Sequence, residues 1–152
     1  MKSTPDSSFA YDLHDVTCLF RKHFDRRALR LGLTRAQWRA LKSIRRREGL
    51  SQSELAEFLE MEPIAVGRVI DRLAVAGFVE RRADPNDRRR WRLYLTVKAH
   101  GVTDDMEVIA AELRRESLVN IDDGDFGAFQ RVLKQLRANL SAIESANESH
   151  ES

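Results

Sequence analysis

The sequence predicts a mostly α-helical fold carrying one short β-hairpin, and three observations predict it. Apolar residues recur at steps of three and four along several separate segments, the spacing that lines one face of a helix. Capping boxes and a proline at a helix start divide the first half of the chain into short helices. Only between Phe78 and Leu95 does the period fall to two, on either side of a tip made of turn residues. The 152 residues suffice for one domain with arms, and 42% hydrophobic with 33% charged residues describes a soluble globular chain rich in surface helix.

The first helix is expected from about Ser8 to Leu31, because Phe9, Leu13, Val16, Phe20, Phe24, Ala28 and Leu31 share one stripe. Gly32-Leu33-Thr34 stops it. Thr34 with Gln37 then forms a capping box for a second helix, about Arg35 to Arg47, which Gly49 ends. Ser51 and Glu54 repeat the device for a short helix, Gln52 to Leu59, that turns Leu55, Ala56 and Leu59 inward. Pro63 suits the first turn of the next helix, where its missing N–H has no intrahelical partner. That helix offers Val66, Val69, Ile70 and Leu73 to a core and stops near Gly77. A short helix, a tight turn and a second helix make helix-turn-helix spacing. Beyond Gly77, Phe78–Arg82 and Trp91–Leu95 alternate, and Trp91, Leu93 and Leu95 share a face expected to pack inward, as Trp38 does. Asp84-Pro85-Asn86-Asp87 suits a turn and Arg88–Arg90 crowd its exposed tip, so the hairpin reads as a wing. Thr96 caps a fifth helix with Val102, Met106, Ile109 and Leu113 on one stripe, and Asp122-Asp123-Gly124 separates it from the last. There Phe126, Phe129, Leu133, Leu136, Leu140 and Ile143 form a narrow seam resembling coiled-coil packing. The class is mostly α with a small β-wing, a winged helix-turn-helix between terminal helices.

The formal net charge of +2 conceals a segregation. Residues 21–98 hold 20 Lys and Arg against 10 Asp and Glu, a net of +10, whereas the two ends together hold 6 against 14, a net of −8. A basic middle between acidic ends suits a polyanionic partner for the middle. A solvated surface would explain the exposure of the wing arginines, but not their clustering where like charges repel. The longest apolar and glycine run, Leu73–Val79, falls far short of the roughly 20 residues of a membrane span, and the amino terminus lacks a hydrophobic signal core. The expected location is the cytoplasm. Cys18 stands alone, and His14, His23, His100 and His150 fall in no HExxH or CxxC spacing, so no metal and no cofactor are expected. The chain has no GxGxxG, P-loop or GxSxG motif, which argues against an enzyme.

With the elements placed, Gln37-Trp38, Ser51-Gln52-Ser53-Glu54-Leu55-Ala56, Ile70-Asp71-Arg72-Leu73 and Asp84-Pro85-Asn86-Asp87-Arg88-Arg89 through Leu95-Thr96 resemble the multiple-antibiotic-resistance regulator (MarR) family and its SlyA-like branch. The likeness covers nearly the whole chain in element order, and Asp87-Xaa-Arg89 followed by Leu95-Thr96 is its most specific part. One departure is Val97-Lys98-Ala99, where many members have Glu-Lys-Gly, a change expected to weaken the cap of the fifth helix. The resemblance implies a homodimeric repressor or activator of transcription that binds double-stranded DNA, its first, fifth and sixth helices forming the dimer. It also implies a small aromatic or anionic inducer, expected near the junction of the dimer helices and the reading head. The corresponding domains are a dimerisation helix at 8–33, a winged helix-turn-helix at 34–96 and dimerisation helices at 97–146, with disordered tails at 1–7 and 147–152.

In the recognition helix, the face opposite the core stripe holds Ile64, Ala65, Gly67, Arg68 and Arg72. The planar fork of Arg68 can bond guanine O6 and N7 together, Ala65 or Ile64 can touch a thymine methyl, and Gly67 allows close approach. The competing role for Arg68 is an ion pair with Glu62 or Asp71. Asp71 itself would be repelled by phosphate and is expected to orient Arg68 or Arg72. Ser53 is a candidate phosphate contact, while capping alone accounts for Ser51. Arg89 matches the family arginine that enters the minor groove, held by an ion pair to Asp87, with Arg88 and Arg90 on phosphates. Two alternatives stay open: a nonspecific architectural DNA binder, and a thiol sensor through Cys18. One branch of the family senses peroxides with a first-helix cysteine, but that branch is rich in tyrosine, and this chain has only Tyr11 and Tyr94. A small buried hydrophobe is the competing role of Cys18.

Overall fold

At the helix starts that follow Thr34, Ser51, Thr96 and Asp122, leftover backbone N–H groups are met by the side chains of those residues. The computed structural model describes residues 8–150, and the side chains of 8–147. Its elements run α1 (Phe9–Ala28), a 3-10 turn (Leu29–Leu31), α2 (Arg35–Arg46), α3 (Gln52–Leu59), α4 (Pro63–Val75), β1 (Val79–Ala83), β2 (Trp91–Leu95), α5 (Val97–Ser117) and α6 (Asp123–His150). Both capping boxes form: Thr34 accepts from the Gln37 N–H while Gln37 returns to the Thr34 N–H, and Ser51 and Glu54 exchange the same pair of bonds. A box of this kind is worth about 1 kcal/mol through its capping serine or threonine. At α5, Thr96 Oγ1 accepts from the Ala99 N–H and donates to Gly77 O. Beside this cap, Lys98 Nζ donates to Ala76 O at 2.7 Å, closing the end of α4.

The core sits where α2, α3, α4 and β2 converge. Leu41, Ile44, Leu55, Val66, Ile70, Leu73 and Leu93 are fully buried there, each contributing about 1.5–3 kcal/mol relative to an exposed side chain. The expected inward residues of α3 and α4 occupy it, with Val69 half-buried. β1 and β2 pair antiparallel in the register Val79↔Leu95 to Ala83↔Trp91. The segment before α3 adds to this ladder: the Gly49 N–H donates to Leu93 O and the Leu93 N–H to Leu50 O, with a further bridge between Ser51 and Arg92. Gly49 takes φ +81°, and a Cβ there would stand 3.0 Å from the Tyr94 hydroxyl, so glycine is needed at this junction. The wing is thereby fastened to the start of α3.

Three expectations need correction. Trp91 does not pack inward with Leu93 and Leu95; it is 47% exposed, because β2 outruns the core at its first residue. The first strand begins at Val79, since the Phe78 N–H is already committed to Leu73 O at the end of α4. Residues 147–150, expected as tail, continue α6, while 1–7 and 151–152 lie outside the described residues.

The chain divides into two compact units, up to Arg114 and from Arg115 onward. In the first, the α1 stripe is buried only at Phe24 and Ala28, leaving Phe9, Val16 and Phe20 exposed. In the second, no described side chain of α6 is buried, and Phe129, Leu133, Leu140 and Ile143 of the seam are exposed. No helix among the described residues is long and apolar enough to cross a membrane.

Candidate nucleic-acid interface

The arginines of the reading head fall into two groups, and carboxylates decide which. Arg92 donates through Nε to Asp84 at 3.0 Å and through Nη1 to Gly49 O at 2.9 Å. The backbone N–H of Asn86 holds the Asp84 carboxyl below the usual aspartate range, against the effect of its burial and with help from the Arg92 charge. Arg82 pairs with Glu80 and lies over the Tyr94 ring, 4.1 Å from its centroid. Arg47 pairs with Glu54, whose carboxyl is held low first by the Ser51 N–H, against burial, and then by the Arg47 charge. These arginines serve the fold.

Arg81 serves it most of all. From β1 it donates to Gln52 Oε1 on α3 at 3.2 Å and to Gly67 O on α4 at 3.2 Å, and it pairs with Asp71 at 2.6 Å. One guanidinium therefore ties the wing to both helices of the helix-turn-helix. This overturns the expectation that Asp71 orients Arg68 or Arg72; its carboxylate is taken by the wing. Gly67 also belongs to this knot, since a Cβ there would lie 3.3 Å from Gln52 Nε2. Its small size suits the approach of α3, whatever it offers to a partner. Arg81 was missed in the sequence although a signal was present. It alternates with Val79 and Ala83, so it falls on the core-facing side of the strand, where an arginine must find acceptors.

Arg68, Arg72, Arg88, Arg89 and Arg90 form the second group. All five are exposed, and among the described residues no carboxylate pairs with them. The competing pair for Arg68 is not formed. Ile64 and Ser53 are also exposed, while Ala65 and Gly67 are half-buried. At the wing tip, the Asp84 N–H donates to Arg90 O and the Arg90 N–H to Asp87 O, closing the loop on its own backbone. Asp87 does support Arg89, but not by the expected ion pair: its carboxylate accepts the Arg89 backbone N–H at 2.9 Å, an Asx turn that leaves the guanidinium free.

Below the head, Asp25 of α1 accepts from Arg35 Nε at 2.7 Å and from Trp38 Nε1 at 2.8 Å. Burial alone would raise its carboxyl; the two donors and the charges of Arg35 and Arg21 outweigh this and hold it low. Cys18, half-buried on α1, lies with Sγ 3.4 Å from His14 Nε2 one turn away. A cavity of about 550 Å³ opens between α2 and α3, lined by Arg46, Leu50, Glu57 and Phe58 among others.

A sequence model described as the MarR family matches residues 33–91, from the end of the first helical segment into the wing. The crystal structure of transcriptional regulator PA3341 is 36% identical, covering 88% of this chain and 98% of that chain, with a TM-score of 0.77. The chain belongs to the MarR family. Wild-type MarR from E. coli in its apo form is 25% identical over 90% of this chain and 98% of that chain, with a TM-score of 0.77. A mutant MarR from E. coli complexed with operator DNA is 25% identical over 86% and 94%, with a TM-score of 0.71. In this family member, six α-helices and a two-stranded antiparallel wing among the described residues make up the winged helix fold.

Proposed function

We propose that this MarR-family chain is a sequence-specific DNA-binding regulator that acts as a homodimeric repressor on an inverted-repeat operator and is released by a small aromatic or anionic ligand. The observation that carries the reading is the division of the arginines. Arg81, Arg82 and Arg92 are consumed within the head, whereas Arg68, Arg72 and Arg88 to Arg90 stand exposed with no carboxylate partner among the described residues. Arginine is suited to phosphate and guanine because its fork bonds two acceptors in one plane. Arg68 would read a base edge, with Ile64 and Ala65 beside it and Ser53 and Arg72 on the flanks. Arg89 would enter the minor groove between Arg88 and Arg90 on phosphates. The operator complex of the E. coli relative supports the same class of partner. The exposed apolar residues of α1 and of α6, each taken in its own unit, support pairing with a second copy. A regulator of this kind works in the cytoplasm, where the DNA is.

Selection of binding sites from random duplex DNA with purified protein tests the reading. The expected product is an inverted repeat with half-site centres about one helical turn, roughly 34 Å, apart. Inserting about five base pairs between the half-sites turns one by half a turn and should abolish tight binding. Recovery of no preferred sequence would leave a nonspecific binder, and retained affinity after the insertion would leave independent monomeric heads.

A further inference from the structure

Trp91 is the large aromatic of the head that the core does not take. It is 47% exposed, and its indole N–H has no acceptor among the described residues. Trp38, the other tryptophan of the chain, is 8% exposed and donates to Asp25. Trp91 stands at the end of β2 and lines a cleft of about 100 Å³ with Gln52, Ser53, Pro63, Arg89 and Arg90. Three elements meet there: the first turn of α3, the first residue of α4, and the root of the wing tip. The cleft thus lies within the surface that carries Ser53 and the unpaired wing arginines.

We propose that this cleft seats the sugar-phosphate backbone of duplex DNA, with the Trp91 ring against a deoxyribose and its N–H directed to a phosphate oxygen; this rests on the DNA-binding reading above. The cleft is too small for an enclosed organic ligand, for which roughly 300 Å³ or more is usual. Its chemistry matches a backbone segment: an apolar ring with a polar handle for the sugar, flanked by cations for the phosphates. Its continuity with Arg89 and Arg90 fixes the occupant as the strand that those residues approach. The placement also explains why a tryptophan begins a strand whose core-facing positions are otherwise leucines. A contact of this kind carries no base information, so it adds affinity and register without selectivity.

The test uses wild-type protein and two probes: the duplex recovered by selection, and a mixed-sequence duplex of the same length. Binding is followed by the anisotropy of labelled DNA, and Trp91 by acrylamide quenching of tryptophan emission, since Trp38 is shielded. Bound duplex should protect the quenchable tryptophan. Trp91→Ala should weaken both duplexes alike by roughly tenfold, as truncation of an interface tryptophan does. Trp91→Phe should recover part of that loss, and neither change should alter the salt slope, because no charge is removed. Far-UV melting checks that the variants fold, and the quenching arm decides even if they do not. DNA binding with quenching unchanged would overturn the seat and leave the regulator standing. Absence of DNA binding would remove both. Equal protection by inorganic phosphate at matched ionic strength would assign the cleft to a free anion and also overturn the proposal.

Discussion

Replacing Arg81 by methionine keeps an apolar stem of similar reach and deletes the guanidinium that joins the wing to α3 and α4. Three contacts go: Gln52 Oε1 and Gly67 O at 3.2 Å each, and Asp71 at 2.6 Å. The Asp71 side chain is 64% exposed, so the ion pair is screened and worth at most about 1 kcal/mol. Hydrogen bonds from a charged donor contribute about 1.5–3 kcal/mol when short and well buried, and these two are at the long end. Gly67 O lies inside α4 and keeps its helical partner, and the half-buried Gln52 can turn to water, so no orphaned acceptor adds to the cost. The expected loss is therefore about 2 kcal/mol, or a fall in Tm of roughly 4–8 °C for a chain of this size. Urea unfolding at one fixed protein concentration measures it, since association would otherwise shift the midpoint. Asp71→Asn alone should cost under about 1 kcal/mol, and the double variant should match Arg81→Met. If Asp71→Asn costs as much as Arg81→Met, the ion pair rather than the helix bonds holds the wing. If Arg81→Met is within about 0.5 kcal/mol of wild type, the knot is not structural at all.

Four further outcomes follow from the same geometry. Arg68→Ala should cost about 1–3 kcal/mol of binding and relax selectivity at one position per half-site, whereas Arg88→Ala should weaken all duplexes alike and lower the salt slope by about one; equal loss of selectivity from both would sink the division of roles. The carboxyls of Asp25 and Glu54 are held below their unfolded values of about 3.9 and 4.3, so their stabilisation is complete above those values and is lost as pH falls through the folded ones. Asp25→Asn should accordingly shallow the acid limb of a urea-midpoint profile below about pH 4, and an unchanged limb would contradict the assignment. Gly49→Ala should cost at least roughly 1–2 kcal/mol for its left-handed backbone, with partial relief in a Tyr94→Phe background if the hydroxyl 3.0 Å away adds to the clash. Replacing Leu136 and Leu140 by Asp should place unpaired carboxylates in the proposed α6 seam and split or unfold the dimer by sedimentation; a dimer that survives, or a folded wild-type monomer, would remove α6 from the interface.

The helices were legible in the sequence because the forces that start and stop them act over three or four residues. Thr34 and Gln37, or Ser51 and Glu54, lie close enough in the chain for a reader to pair them, and the boxes form as spaced. The apolar stripe of α4 works the same way, since 3.6 residues per turn place Val66, Ile70 and Leu73 on one face whatever they meet. The wing was legible as a hairpin for the corresponding reason of period two. The exposure of the candidate-interface arginines was likewise legible from position, on the outer face of α4 and at the wing tip, whereas the minor-groove role of Arg89 came from the family resemblance.

Partner choice was not legible. Asp71 has Arg68 and Arg72 within a turn of helix, and only the crossing of β1 over α4 gives its carboxylate to Arg81 instead. The same crossing brings Gln52 to an arginine 29 residues away, and the docking of β2 brings Gly49 O to Arg92 across 43. Trp91 shares a strand face with Leu93 and Leu95, and the alternation cannot say where along that face the core stops. Local spacing determined which side chains face together, because bond geometry and hydrogen-bond reach are set by near neighbours. Tertiary packing decided which of two equally charged or equally apolar residues is consumed by the fold and which is left to a partner, because burial and ion pairing depend on elements that the chain brings together only when it closes.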